Sequence, residues 1–389
     1  MGGSHIRSLA GLVGAVALLL SACTSPVDAP GSTVPGRCTA EAPLVAPQKT
    51  DILFVIDDSG SMKEEQEGIA SELPAFIDEL KKGGGVGHDF QVGVITTSVY
   101  QNANFGAGLD YDEYPAASGR LQAVPGTGET ILRSGDPDLV EKFAKLVQQG
   151  TGGSGQETPF EAVRLAVTGD LNPGFLRDGA RLLVVVVSDE DDCSEMHRPP
   201  TVWVGPNPAR NYCDEQNAAL TRVEDYAEIF RSLTDSTGAH RQVLWAAIAP
   251  VSVTNKEAKA EVVNGRLRNV DCPTSFAPGK RQREMAALFD ESLQNLDSIC
   301  SASYRDSLLA IAQIANVTQS LEVRNVPDPR LLKVELTRAD GSVQACTLAN
   351  GGITWQPPTD DRPGRVFFTG ECPRKFDDES VVLRMICAG

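Results

Sequence analysis

Three stretches of this chain are apolar on consecutive rather than alternate residues: 52–56 (ILFVI), 182–187 (LLVVVV) and 243–249 (VLWAAIA). A strand with one wet face alternates polar and apolar side chains, so runs without alternation belong to strands covered on both faces, as in a parallel sheet layered by helices. A fourth run, 90–97 (FQVGVITT), reads the same way. Between the runs, apolar residues recur at helical spacing: Ile69, Leu73, Phe76, Ile77 and Leu80 within 62–82, where Pro74 predicts an irregularity. Shorter helices are expected over 136–149, 158–167 and 304–316, the second opened by Thr158-Pro159-Phe160-Glu161 as a capping box. Strands alternating with helices predict a doubly wound, mostly parallel α/β sheet over 48–320. Segments 192–222 and 250–300 read as insertions, each holding two cysteines. Past Thr318 the texture changes to short alternating runs (LLKVELTR, SVQACTLA, GRVFFTG, SVVLRMIC), which predicts a small β-rich appendage over 321–389.

Directly after the first run comes Asp57-Asp58-Ser59-Gly60-Ser61, so one carboxylate and two hydroxyls converge where a buried strand ends. Small oxygen-bearing side chains on a tight loop suit Mg2+, which demands near-octahedral oxygen ligands and retains several waters. Gly60 frees the backbone to turn, and either serine also suits a cap for the helix that follows. In this strand context the Asp-x-Ser-x-Ser spacing resembles the metal-ion-dependent adhesion site of von Willebrand factor A domains, whose hydroxyls bind a divalent cation while the Asp orients bound water. The resemblance covers 48–320 and implies two further loops, one giving a Thr just before a helix and one an Asp at the end of a central strand. Asp189, which closes the VVVV run, matches the third loop. Glu190, Asp191 and Asp192 extend it into an acidic cluster that also suits a solvated charge run.

The second loop departs from the pattern. Alignment on Glu161-Ala162-Val163 puts Glu157 at the usual Thr position and Thr158 one residue later. The resemblance therefore implies Asp57, Ser59, Ser61 and Asp189 as metal ligands with Glu157 or Thr158 completing the set, for Mg2+ or alternatively Ca2+ or Mn2+. A coordinating Glu157 adds negative charge, which favours Ca2+ and weakens the ion's pull on a partner's carboxylate. Asp58, outside the motif, is expected to face solvent or to support the ligands.

Residues 1–22 read as a secretion signal, with Arg7, an apolar stretch over 9–20 and then Leu20-Ser21-Ala22-Cys23. Roughly twelve apolar residues are too few for the ~20 that a membrane span needs. The last four residues resemble the lipobox of bacterial lipoproteins, which implies cleavage before Cys23 and its lipidation. Segment 23–47, rich in Pro, Gly, Ser and Thr, reads as anchor and tether. With Cys23 set aside, eight cysteines remain: Cys38, Cys193, Cys213, Cys272, Cys300, Cys346, Cys372 and Cys387. An even number in an exported chain predicts disulfides. Sequence proximity pairs Cys193 with Cys213, Cys272 with Cys300 and Cys346 with Cys372, leaving Cys38 with Cys387, a connectivity that sequence alone leaves open. No Cys-x-x-Cys occurs and none of the four histidines lies near a cysteine at zinc spacing.

A formal charge of -17 argues against nucleic acid and against direct contact with a bilayer surface, leaving the lipid anchor as the membrane attachment. The resemblance implies binding rather than catalysis: an envelope protein, expected at the outer membrane, that holds a protein or cell-surface ligand through an acidic side chain on its cation. Two alternatives use the same residues, a metal-dependent hydrolase and a structural envelope protein with a structural cation. The hydrolase lacks a Gly-x-Ser-x-Gly elbow, a phosphate loop and a positioned base, since His197 is a lone loop histidine.

Overall fold

The computed structural model describes residues 44–45, 48–82, 88–100, 114–205, 207–317, 320–324, 326–338, 340–359, 363–374, 378 and 380–385. Cys23, Cys38 and Cys387 lie outside them. In chain order the strands are β1 (Leu44–Val45), β2 (Gln48–Ile56), β3 (His88–Thr96), β4 (Leu132–Arg133), β5 (Arg181–Val187), β6 (Val243–Ala249), β7 (Ala260–Val263), β8 (Arg266–Asn269), β9 (Leu296–Ser298), β10 (Ser320–Arg324), β11 (Leu332–Thr337), β12 (Val343–Thr347), β13 (Ile353–Gln356), β14 (Gly364–Phe368) and β15 (Ser380–Met385). The α-helices are α1 (Lys63–Lys82), α2 (Leu139–Val147), α3 (Pro159–Thr168), α4 (Tyr212–Glu215), α5 (Val223–Arg231), α6 (Lys280–Phe289) and α7 (Arg305–Asn316).

The main sheet runs β4-β3-β2-β5-β6-β9. All its pairings are parallel except β4 on β3. The continuous apolar runs do what their pattern requires. Ile52, Phe54 and Ile56 of β2, with Leu183, Val185 and Val187 of β5, enter one core beneath α1, α2 and α7. Their neighbours Leu53 and Val55, with Leu182, Val184 and Val186, enter a second core beneath α3, α5 and α6. Each fully buried Val, Leu or Ile contributes about 1.5–3 kcal/mol relative to exposure, so a strand loaded on both faces is the natural centre of the sheet.

Three expectations need correction. Pro74 does not end α1, which runs on from Lys63 to Lys82 with Pro74 at an exposed position outside the buried stripe of Ile69, Leu73, Phe76, Ile77 and Leu80. Segment 250–300 is not wholly an insertion, since it contains α6 and the sheet strand β9. Leu44–Val45, within the expected tether, pairs antiparallel with β10.

The C-terminal region forms two antiparallel sheets, β1-β10-β14-β13 and β12-β11-β15, that share one core of Leu321, Val323, Val334, Leu336, Val366 and Phe368 among others. Disulfides join Cys193 to Cys213, Cys272 to Cys300 and Cys346 to Cys372, the three pairings that sequence proximity favours. Among the described residues no helix is long and apolar enough to cross a membrane.

Candidate functional site

Strand β2 is flanked by β3, next in sequence, and by β5, reached only after α2 and α3, so the winding reverses there, and sheets of this kind bind ligands at the carboxyl ends beside such a reversal. Asp57 N–H donates to Val187 O at 3.0 Å and Thr97 N–H to Ile56 O at 3.2 Å, which stitches the three strand ends together. The DDSGS loop therefore emerges beside both of the other predicted loops.

Asp57 is fully buried. Its Oδ1 accepts Ser59 N–H at 2.8 Å and its Oδ2 accepts the Ser188 hydroxyl at 2.6 Å. The first contact is an Asx turn that folds the loop back and leaves the Ser59 and Ser61 hydroxyls 3.4 Å apart. Gln66, a polar member of the buried α1 stripe, donates to Asp57 O and Gly150 O, both at 2.8 Å, and accepts Gly150 N–H at 3.0 Å. It clamps the first loop to the second.

In the second loop the Thr158 hydroxyl donates to Thr97 O at 2.8 Å and makes no cap hydrogen bond. The expected capping box does not form. Glu161 instead pairs with Arg164 at 2.6 Å and accepts the Tyr226 hydroxyl at 2.9 Å. Glu157 Oε2 accepts the Thr97 hydroxyl at 3.3 Å, whereas Oε1 is buried with no hydrogen-bond partner. Asp58 does not face open solvent: its Oδ1 accepts the Ser98 hydroxyl at 2.7 Å and its carbonyl accepts Gly153 N–H at 2.8 Å. A Cβ at Gly153 would stand 2.3 Å from the Asp58 carboxyl group and push that side chain aside.

In the third loop Asp189 is buried with the Ser61 hydroxyl beside its carboxylate, whose oxygens otherwise lack a hydrogen-bond partner. Its carbonyl accepts Phe276 N–H at 3.0 Å, which ties it to the loop held by the Cys272–Cys300 disulfide. Asp191 and Asp192 are not a solvated charge run. Asp191 Oδ1 accepts Arg281 N–H at 2.9 Å in the first turn of α6, and Asp192 pairs with the Arg281 guanidinium at 2.9 Å. Both anchor that helix.

No lysine or arginine forms an ion pair with Asp57, Glu157, Asp189 or Glu190 among the described residues. Burial, opposed by the Ser188 and Ser59 hydrogen bonds, raises Asp57 to about 6. Burial and then the neighbouring Asp57, opposed by the Ser61 hydroxyl, raise Asp189 to about 8. Glu157 and Glu190 are pushed well above the usual carboxylate range, by burial first and then by the surrounding carboxylates. His197 lies 3.7 Å from Glu195 with its ring largely exposed.

Among the described residues no group of three or more His, Cys, Asp or Glu side chains is placed to hold a metal ion. The donors that could hold one are mixed: the Asp57 and Asp189 carboxylates with the Ser59 and Ser61 hydroxyls. The orphaned oxygens provide the fit, since a buried anionic oxygen without a donor is costly and a hard cation satisfies it. Ser188 and Gln66 escape a reading of the motif alone. Ser188 directly precedes Asp189, and Gln66 stands three residues before Ile69 on the stripe; each signal was present in the sequence.

The chain matches no protein-family model, and no curated protein matches it. Solved structures similar to it include a von Willebrand factor type A protein from Catenulispora acidiphila, at 13% identity and TM-score 0.36, covering 88% of this chain and 59% of that one. Proximal thread matrix protein 1 from the mussel byssus aligns at 14% identity and TM-score 0.36 over 71% of this chain and 50% of its own. The pilus adhesin SpaC from Lactobacillus rhamnosus GG aligns at 11% identity and TM-score 0.34 over 88% and 39%. The chain thus spans between about two fifths and three fifths of these structures. At such values the α/β architecture rests on strand order and register, not on the likeness.

Proposed function

We propose that this chain is an extracytoplasmic binding protein, held to the envelope by a lipid on Cys23, that uses a divalent cation at the carboxyl ends of β2 and β5 to hold a protein or surface ligand in adhesion or assembly. The observation that carries the reading is the pairing of buried Asp57 and Asp189 with two serine hydroxyls, with the Asp189 oxygens met by nothing beyond the Ser61 hydroxyl and no basic side chain in attendance among the described residues. Mg2+, or Ca2+ or Mn2+ in its place, supplies the missing positive charge, and a coordination position left to the ligand takes an acidic side chain. Three disulfides suit an oxidising compartment.

Calorimetric titration of Mg2+, Mn2+ and Ca2+ into chelator-stripped protein tests this, with Asp57→Ala and Asp189→Ala alongside. Saturable binding lost in both variants is expected. Wild-type protein that takes up no cation, or variants that bind as tightly as wild type, would end the proposal.

A further inference from the structure

At the opposite end of the main sheet from the candidate cation site, a cleft of about 960 Å³ opens between the strands' amino ends and the C-terminal β module. One wall carries Lys49 near the start of β2, Arg181 as the first residue of β5, and Arg241 just before β6; the other carries Arg324 of β10 and Arg365 of β14. Among the described residues the lining holds five Lys or Arg, of which Arg241 also stands 3.6 Å from buried Asp51, against three carboxylates, Asp178, Asp235 and Glu322, in a chain whose overall count is 35 Lys or Arg against 52 Asp or Glu. A basic cleft in so acidic a protein is a local reversal that needs a reason.

All three carboxylates are engaged. Asp178 accepts Ser236 N–H at 2.9 Å and the Ser236 hydroxyl at 2.6 Å. Asp235 accepts Thr237 N–H and Ala239 N–H, both at 3.0 Å, and Gly179 N–H at 3.2 Å. Glu322 pairs with Arg365 at 3.3 Å. Lys49 and Arg324, both exposed, have no ion-pair partner among the described residues. Both line the cleft, and β1, whose Leu44 pairs with Arg324 of β10, ends four residues before Lys49. At the floor, buried Arg181 donates to Val317 O at 2.6 Å and to Ala315 O, at the carboxyl end of α7. Its burial and the like charge of Arg374 lower it to about 10, in keeping with excess positive potential there.

We propose that this cleft is an anion site that takes a phosphate-bearing ligand. Lys49 and Arg324, the two exposed cations without an ion-pair partner among the described residues, match a phosphate monoester, which carries about -1.5 to -2 at neutral pH. Guanidinium forks such as Arg324 match phosphate oxygens bidentately, and the volume is that of a small-molecule site. A lipid headgroup and a free phosphate ester share this chemistry, and the predicted lipid anchor, preceding β1, makes the headgroup a source to test.

The test uses whole protein kept in chelator, so that no metal-bound phosphate contributes. Glycerol phosphate is titrated calorimetrically, and co-sedimentation is measured with phosphatidylglycerol vesicles against phosphatidylcholine vesicles. Each is repeated with Lys49→Gln/Arg324→Gln, whose exposed positions leave the fold intact by circular dichroism, and with Asp57→Ala. Binding of glycerol phosphate weakened about tenfold or more in the double variant, and unchanged in Asp57→Ala, supports a site for free phosphate esters. Binding confined to phosphatidylglycerol vesicles and lost in the double variant assigns the headgroup. No binding to either probe, or equal binding by the double variant, overturns the proposal and leaves the cation-site reading untouched.

Discussion

A buried aspartate stands in the amino-terminal half of strand β2 and another directly after its carboxyl end, and the two are held in opposite ways. Asp51, at the amino end, is paired with Arg177 at 2.7 Å and stands 3.6 Å from Arg241; Arg177 also reaches Asp89 at 2.7 Å. Asp57, at the carboxyl end, receives one N–H and one hydroxyl and no cation, and beside it lie Asp189 and Glu157 with orphaned oxygens. Burial raises both carboxyls, but only at Asp51 do guanidiniums oppose it. One strand under one sheet thus shows a charge the fold has balanced and a charge it has left for something else. A protein able to place Arg177 at one end has placed no cation at the other.

The comparison breaks most visibly at Asp51. Asp51→Ala strips the partner from buried Arg241 and half-buried Arg177, and a loss of about 3–5 kcal/mol in urea unfolding is expected. A loss under about 1 kcal/mol would mean that the amino-end network is not holding the sheet. Asp189→Asn should act with the opposite sign in chelator, since removing a repelled buried charge stabilises the cation-free protein by on the order of 1–3 kcal/mol at pH 8. The same variant should lose the rise in melting temperature on adding the preferred cation. Destabilisation without cation would remove the contrast between the two ends.

The pH dependence sharpens it further. Asp189 folded titrates near 8 and unfolded near 3.8, so between those values the native state holds the extra proton and stability falls as pH rises. His88 is buried and lowered to about 3, and its opposite contribution is confined below its unfolded value of 6.5. Between pH 6.5 and 8, cation-free protein should lose up to about 1.4 kcal/mol per pH unit from Asp189, and saturating cation should flatten that slope. A slope indifferent to cation would detach Asp189 from the ion. The smallest effect is expected from Gly153→Ala, whose Cβ displaces Asp58 from Ser98. About 1 kcal/mol of stability is lost, with cation affinity falling several-fold in the same titration.

Much of this was legible from residue order. Continuous apolar runs in β2, β5 and β6 demand cover on both faces, and they received it. The DDSGS loop could be located because its place at the end of such a strand is a local property, as is Asp189 at the end of β5. Less legible were features set by distant contacts. Thr158 and Glu161 fit a capping box by spacing, yet Thr97 and Arg164 with Tyr226 compete for their side chains and win. Asp191 and Asp192 read as a surface charge run until Arg281, 89 residues beyond Asp192, is brought against them.

What the sequence determined by itself was periodic or local: which strands are central, where the loop of carboxylate and hydroxyls falls, and which cysteines lie near enough in the chain to pair. Only the tertiary structure decided which acidic residues are neutralised. Partnership between charges depends on through-space distance and burial, and these are set by the winding of the sheet: it brings Arg177 and Arg241 to Asp51, brings Arg281 to Asp192, and leaves Asp57 and Asp189 facing two serines.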